Sequence, residues 1–97
     1  MIALLVLTVA AASNARLEAG AALAEVTSYP DRTTIAFSWE GEHRWSRTFE
    51  LPWKTGWLGP RGDLVAGLQN EDYFCVVRTT LGGKAAVLYG VGREPIR

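Results

Sequence analysis

A chain of 97 residues with 48% hydrophobic content is long enough to bury one core without a metal or a cross-link, so a single domain over residues 1–97 is expected. Ten basic and ten acidic side chains cancel, which weighs against a general polyanion binder. The single cysteine, Cys75, excludes an internal disulfide and a cysteine-based zinc cage.

The charge is spread unevenly, with net −3 over residues 1–42 and net +3 over residues 43–61. The N-terminal run MIALLVLTVAAA is free of charged side chains. One use for it is a secretory leader with Ser13-Asn14-Ala15 at the cleavage site, which would leave an exported β domain; the lack of Lys or Arg beside Met1 counts against that. The other use is a buried core element. A membrane span is not expected: it needs about 20 apolar residues, and extending this run brings in Asn14, Arg16, Glu18 and Glu25. The continuation RLEAGAALAEV is rich in alanine, and Leu17, Ala21 and Ala24 recur at helical spacing. An apolar helix over residues 1–27 is therefore predicted, ended by Tyr29-Pro30-Asp31 because the residue before a proline leaves the helical region. The competing division has a strand to about Val9, then a helix capped by Ser13 or Asn14.

Residues 33–51, TTIAFSWEGEHRWSRTFEL, carry the clearest strand signal. Ile35, Phe37 and Trp39 alternate with small polar residues, as do Trp45, Phe49 and Leu51 on the return, which predicts a β-hairpin. A three-residue loop, Glu40-Gly41-Glu42, sets Trp39 opposite His43, Phe37 opposite Trp45 and Ile35 opposite Arg47. A two-residue loop would shift the pairing by one and send Trp45 opposite Ala36, on the other face.

Residues 52–70 begin PWKTGWLGPRGD, with two prolines, three glycines and two tryptophans in twelve residues. This composition predicts an anchored loop, followed by a short helix, Leu64 to Gln69, with Asp63 as its cap and Asn70 as its stop. The tripeptide Arg61-Gly62-Asp63 matches an integrin-binding motif by letter only, with no adhesion context around it. Residues 73–91 then read as a second hairpin, YFCVVRT and AAVLYGV around a two-residue Gly82-Gly83 turn, placing Leu81 opposite Lys84, Val77 opposite Leu88 and Val76 opposite Tyr89.

The fold class expected from these elements is α+β: an N-terminal helix packed on an antiparallel sheet of two hairpins. The alternative is a small, partly closed β-barrel with an N-terminal strand. Both faces of the second hairpin are apolar, and one helix covers only one of them. Phe74, Val76, Tyr89 and Val91 are left facing away from it, as a surface for a protein partner.

Catalytic motifs are lacking. His43 falls near a hairpin tip with no nucleophile placed beside it, and Cys75 sits in an apolar strand. Gly82-Gly83-Lys84 and Gly90-Val91-Gly92 lack the helix a phosphate loop requires, and Glu71-Asp72 has no second cluster to complete a metal site. The expectation is a non-enzymatic structural or assembly subunit, without cofactor or metal, that buries an apolar sheet face against copies of itself or a larger complex. A competing expectation uses the cations and aromatics Arg44, Arg47, Trp53, Lys54, Trp57 and Arg61 to bind single-stranded nucleic acid, rings stacking on bases and cations meeting phosphates.

Overall fold

The computed structural model describes residues 12–92, which form eight strands and no helix. The strands are β1 (Ser13–Ala19), β2 (Ala22–Tyr29), β3 (Arg32–Trp39), β4 (Glu42–Phe49), β5 (Trp53–Leu58), β6 (Leu64–Gln69), β7 (Tyr73–Thr79) and β8 (Ala85–Gly92). They make two four-stranded antiparallel meanders, β1-β2-β3-β4 (sheet A) and β5-β6-β7-β8 (sheet B). The fold is all-β, and the expected α+β class is overturned.

The predicted N-terminal helix fails wherever it can be compared; its residues 1–11, and with them the question of a leader, lie outside the described residues. From Asn14 onward the pattern that governs is period two. Ala15, Leu17 and Ala19 turn inward while Asn14, Arg16 and Glu18 turn out; on β2, Ala22, Ala24, Val26 and Ser28 are buried. Gly20, at φ +59°, supplies the turn between the two strands. Alanine favours helix by only a few tenths of a kcal/mol over most residues, and burying one face of a hairpin against a second sheet outweighs that.

Residues 53–58, expected as loop, form β5, with Pro52 and Pro60 just outside its ends where no ladder donor is needed. The expected helix Leu64–Gln69 is β6: Leu64, Ala66 and Leu68 all point into the core. Its turn with β5 is Pro60-Arg61-Gly62, closed by Gly62 N to Gly59 O at 3.0 Å and Gly59 N to Asp63 O at 2.8 Å, with Gly62 at φ +92°. Asp63 thus ends a hairpin loop and caps no helix. β4 and β5 do not pair, so the sheets stay separate and the barrel alternative is also set aside.

In the first long hairpin, Phe37 lies opposite Trp45 and Ile35 opposite Arg47, yet the loop is two residues, Glu40 and Gly41, both at positive φ, and Trp39 faces Glu42. A β-bulge reconciles the two. The register shifts between Phe37 and Ser38, Ser38 pairs with His43, and Arg44 is the extra residue that returns Trp45 to the inner face. The β7–β8 turn, by contrast, has three residues, Leu81-Gly82-Gly83, and not the expected two, with Thr80 N bonding Lys84 O at 3.0 Å. Val76 lies opposite Tyr89 and Val77 opposite Val87, with Leu88 the bulged residue.

The sheets pack face to face with β1 and β5 running the same way: the β1–β2 and β5–β6 turns share one end of the molecule, where a Cβ on Gly20 would stand 3.7 Å from Pro60 Cβ. β5 packs against β1 and β2. At the opposite end Trp53 N donates to Ser28 Oγ at 3.0 Å and Thr33 Oγ1 to the Leu51 carbonyl at 2.8 Å. The main core joins Ala22, Ala24, Val26, Ile35, Phe37, Trp45, Leu58 and Leu64. Small residues sit on the β1–β2 side, letting β5 approach. The stacked rings of Phe37 and Trp45, centroids 5.3 Å apart, fill the β3–β4 side. The result is a wedge, narrow at β1 and β5 and open between the β4–β5 connection and β8.

Candidate protein-contact surface

Registers determine what each outward face presents. On sheet A, Asn14, Thr27, Thr34 and Thr48 form one row across four strands, with Arg16 opposite Glu25 and Ala36 opposite Ser46 beside it. Thr34 Oγ1 and Thr48 Oγ1 are 3.5 Å apart, and Arg16 reaches Glu18 at 2.7 Å and Glu25 at 3.7 Å. The bond to Glu18 holds the Arg16 guanidinium above its ordinary pKa. This is a surface made for water.

Sheet B is the opposite. Its outward rows are Trp57, Val65, Arg78 and Ala86; then Thr55, Gly67, Val76 and Tyr89; then Gln69, Phe74 and Val91. Phe74 and Tyr89 meet edge to face at 6.2 Å. Trp57 is 60% exposed, Tyr89 56% and Val91 48%, so the described residues leave the apolar face uncovered. Arg78 is the one formal charge in these rows, and its guanidinium lies 2.9 Å from the Asp63 carboxylate.

At one margin of this face runs β8, an edge strand among the described residues. Ala85 to Gly92 contains neither a charge nor a proline, and Val87 and Leu88 are 66% and 57% exposed. By contrast β1 carries Arg16 and Glu18, β4 carries Glu42, Arg44 and Arg47, and β5 carries Lys54. Charges of that kind keep edges from pairing with other chains, and β8 has none. Beside β8, in the open mouth of the wedge, Phe49, Leu51, Cys75, Val77 and Val87 line a groove of about 270 Å³. Burial there pushes the Cys75 thiol pKa upward.

The four positions expected to face a partner, Phe74, Val76, Tyr89 and Val91, are therefore neighbours on one outward face. The residues set out for nucleic acid are not gathered. Arg44 points outward from sheet A, whereas Arg47 turns toward sheet B and donates from Nε to the Gly83 carbonyl at 2.7 Å. Trp53 is half-buried against the core, Trp57 belongs to the apolar face of sheet B, and Lys54 and Arg61 stand exposed at the β5 bulge and the β5–β6 turn. Comparison with protein-family models, with curated proteins and with solved structures finds no match.

Val65 also belongs to the apolar face, which the helix expected over Leu64–Gln69 hides. The alternation of Leu64, Ala66 and Leu68 is the available signal, and it places Val65 on the opposite face. His43 Nε2 lies 2.7 Å from Ser46 Oγ on the exposed side of β4. Among the described residues no group of three or more His, Cys, Asp or Glu side chains converges on a metal-sized site, and no helix is long and apolar enough to cross a membrane.

Proposed function

We propose that this protein is a non-enzymatic assembly subunit that works by protein contact through the outward face of sheet B. One observation carries the reading. In a molecule whose other sheet presents hydroxyls and ion pairs, this face presents Trp57, Val65, Phe74, Val76, Tyr89 and Val91 side by side, and solvent-exposed aromatics in a contiguous patch are the usual mark of an interface. Tyrosine and tryptophan are also the side chains that most often dominate contact energy once desolvated.

The test is site-specific photo-crosslinking in the producing cell. A photoreactive residue at Tyr89 is expected to give discrete cross-linked protein species, and one at Thr27, on the outward face of sheet A, is expected to give none. Equal yields from both positions, or none from Tyr89, remove the proposal.

A further inference from the structure

Resting on that reading, we infer that the partner of sheet B is a second copy of this chain, joined outward face to outward face about a two-fold axis. Two features of the molecule favour this occupant. First, the face is close to electrically silent, because the charge in its rows, Arg78, already has its counter-ion in Asp63 at 2.9 Å. Two copies can therefore meet without burying an unpaired ion, and their zero formal net charge adds no long-range repulsion.

Second, the area suffices. Strand spacing near 4.8 Å and a rise near 3.3 Å per residue give a four-stranded face a footprint of roughly 400 to 500 Å². Allowing for side-chain relief, each copy buries about 600 to 700 Å², just under the ~800 Å² per partner of a standard interface.

Head-to-tail stacking, sheet B on the outward face of sheet A, would bury Arg16, Glu18 and Glu25 against apolar side chains. That cost favours a closed dimer over an open filament.

Sedimentation equilibrium of the purified full chain, from low to high micromolar concentration, tests the inference. A reversible monomer–dimer equilibrium is expected, weakened roughly tenfold or more by Tyr89→Lys and by Val91→Lys, and unchanged by Thr27→Lys. Circular dichroism shows whether each variant keeps its fold, and both lysines enter at exposed positions. Hydroxyl-radical footprinting of Trp57, Phe74 and Tyr89 completes the experiment, with protection expected only at dimer concentrations. A monomer whose Tyr89 still cross-links to a different protein overturns the dimer and leaves the assembly role standing. Protection of the three rings in the monomer means the face is covered by the chain itself, and overturns both. A dimer indifferent to Tyr89→Lys and Val91→Lys overturns the placement of its interface.

Discussion

Gly83 lies directly against the indole of Trp45: a Cβ at this glycine would stand 3.0 Å from Trp45 Cβ and 3.1 Å from Cγ. Its φ is +87°, and its carbonyl accepts the Arg47 Nε hydrogen bond at 2.7 Å, so the β7–β8 turn is clamped onto β4 by shape and by charge. Gly83→Ala should lower stability by about 2 to 4 kcal/mol, from left-handed backbone strain plus overpacking on the ring. Gly82→Ala meets no atom within 4 Å and is expected to change stability by less than about 0.5 kcal/mol. Urea unfolding of the two variants measures the contrast.

Phe37 is fully buried and stacks on Trp45 with 13° between the ring planes. Removing the ring opens a cavity that strands on both sheets line, so Phe37→Ala should cost about 3 to 5 kcal/mol. The indole Nε1 of Trp45 is buried without a hydrogen-bond partner. Trp45→Phe gives up apolar contact but also deletes that donor, and should cost less than Phe37→Ala in the same unfolding experiment.

The edge of β8 is expected to be where the protein aggregates when concentrated or warmed. Its side chains Val87 and Leu88 stand exposed on a strand free of charge. Leu88→Lys places a cation at the bulge, where it costs no core contact, and should slow fibril or precipitate formation without lowering the melting temperature. Light scattering alongside a thermal melt reads both quantities. An unchanged aggregation rate would show that another surface drives the process.

Burial raises the Cys75 thiol above its ordinary pKa. Alkylation by iodoacetamide should therefore reach half its maximal rate at higher pH in the folded protein than in urea. In the same window the unfolded chain gives up the thiol proton first, so stability is constant below the unfolded-chain value, falls as pH rises toward the folded value, and levels off beyond it. Cys75→Ala should remove that part of the alkaline decline, as a wild-type minus variant difference in urea midpoint across pH.

The pairing of Phe37 with Trp45 was legible in advance because one face of that hairpin must be apolar, and only one register puts both rings on it. The route to that register was not legible. A two-residue turn combined with a bulge at Arg44 delivers the same face as the three-residue loop that alternation alone suggested. In the second hairpin the Gly82-Gly83 pair marked the turn, but its length followed from Gly83 having to lie on Trp45, a residue distant in sequence.

Residues 13–29 and 64–69 show where local reading gave out. Ala15, Ala19, Ala22 and Ala24 satisfy a helix and a strand equally well by themselves; what makes them strand is that β5 packs closely against β1 and β2 and only small side chains leave room for it. Alternation by itself determined β3 and β4, and two apolar runs flanking a glycine pair determined β7 and β8 and the apolar character of Phe74, Val76, Tyr89 and Val91. Tertiary packing alone decided the alanine-rich strands, the separation into two sheets, and the union of Trp57 and Val65 with those four residues on one face. The physical reason is that a large β-branched or aromatic side chain declares its face wherever it stands, whereas alanine and glycine take the conformation their neighbours in space require.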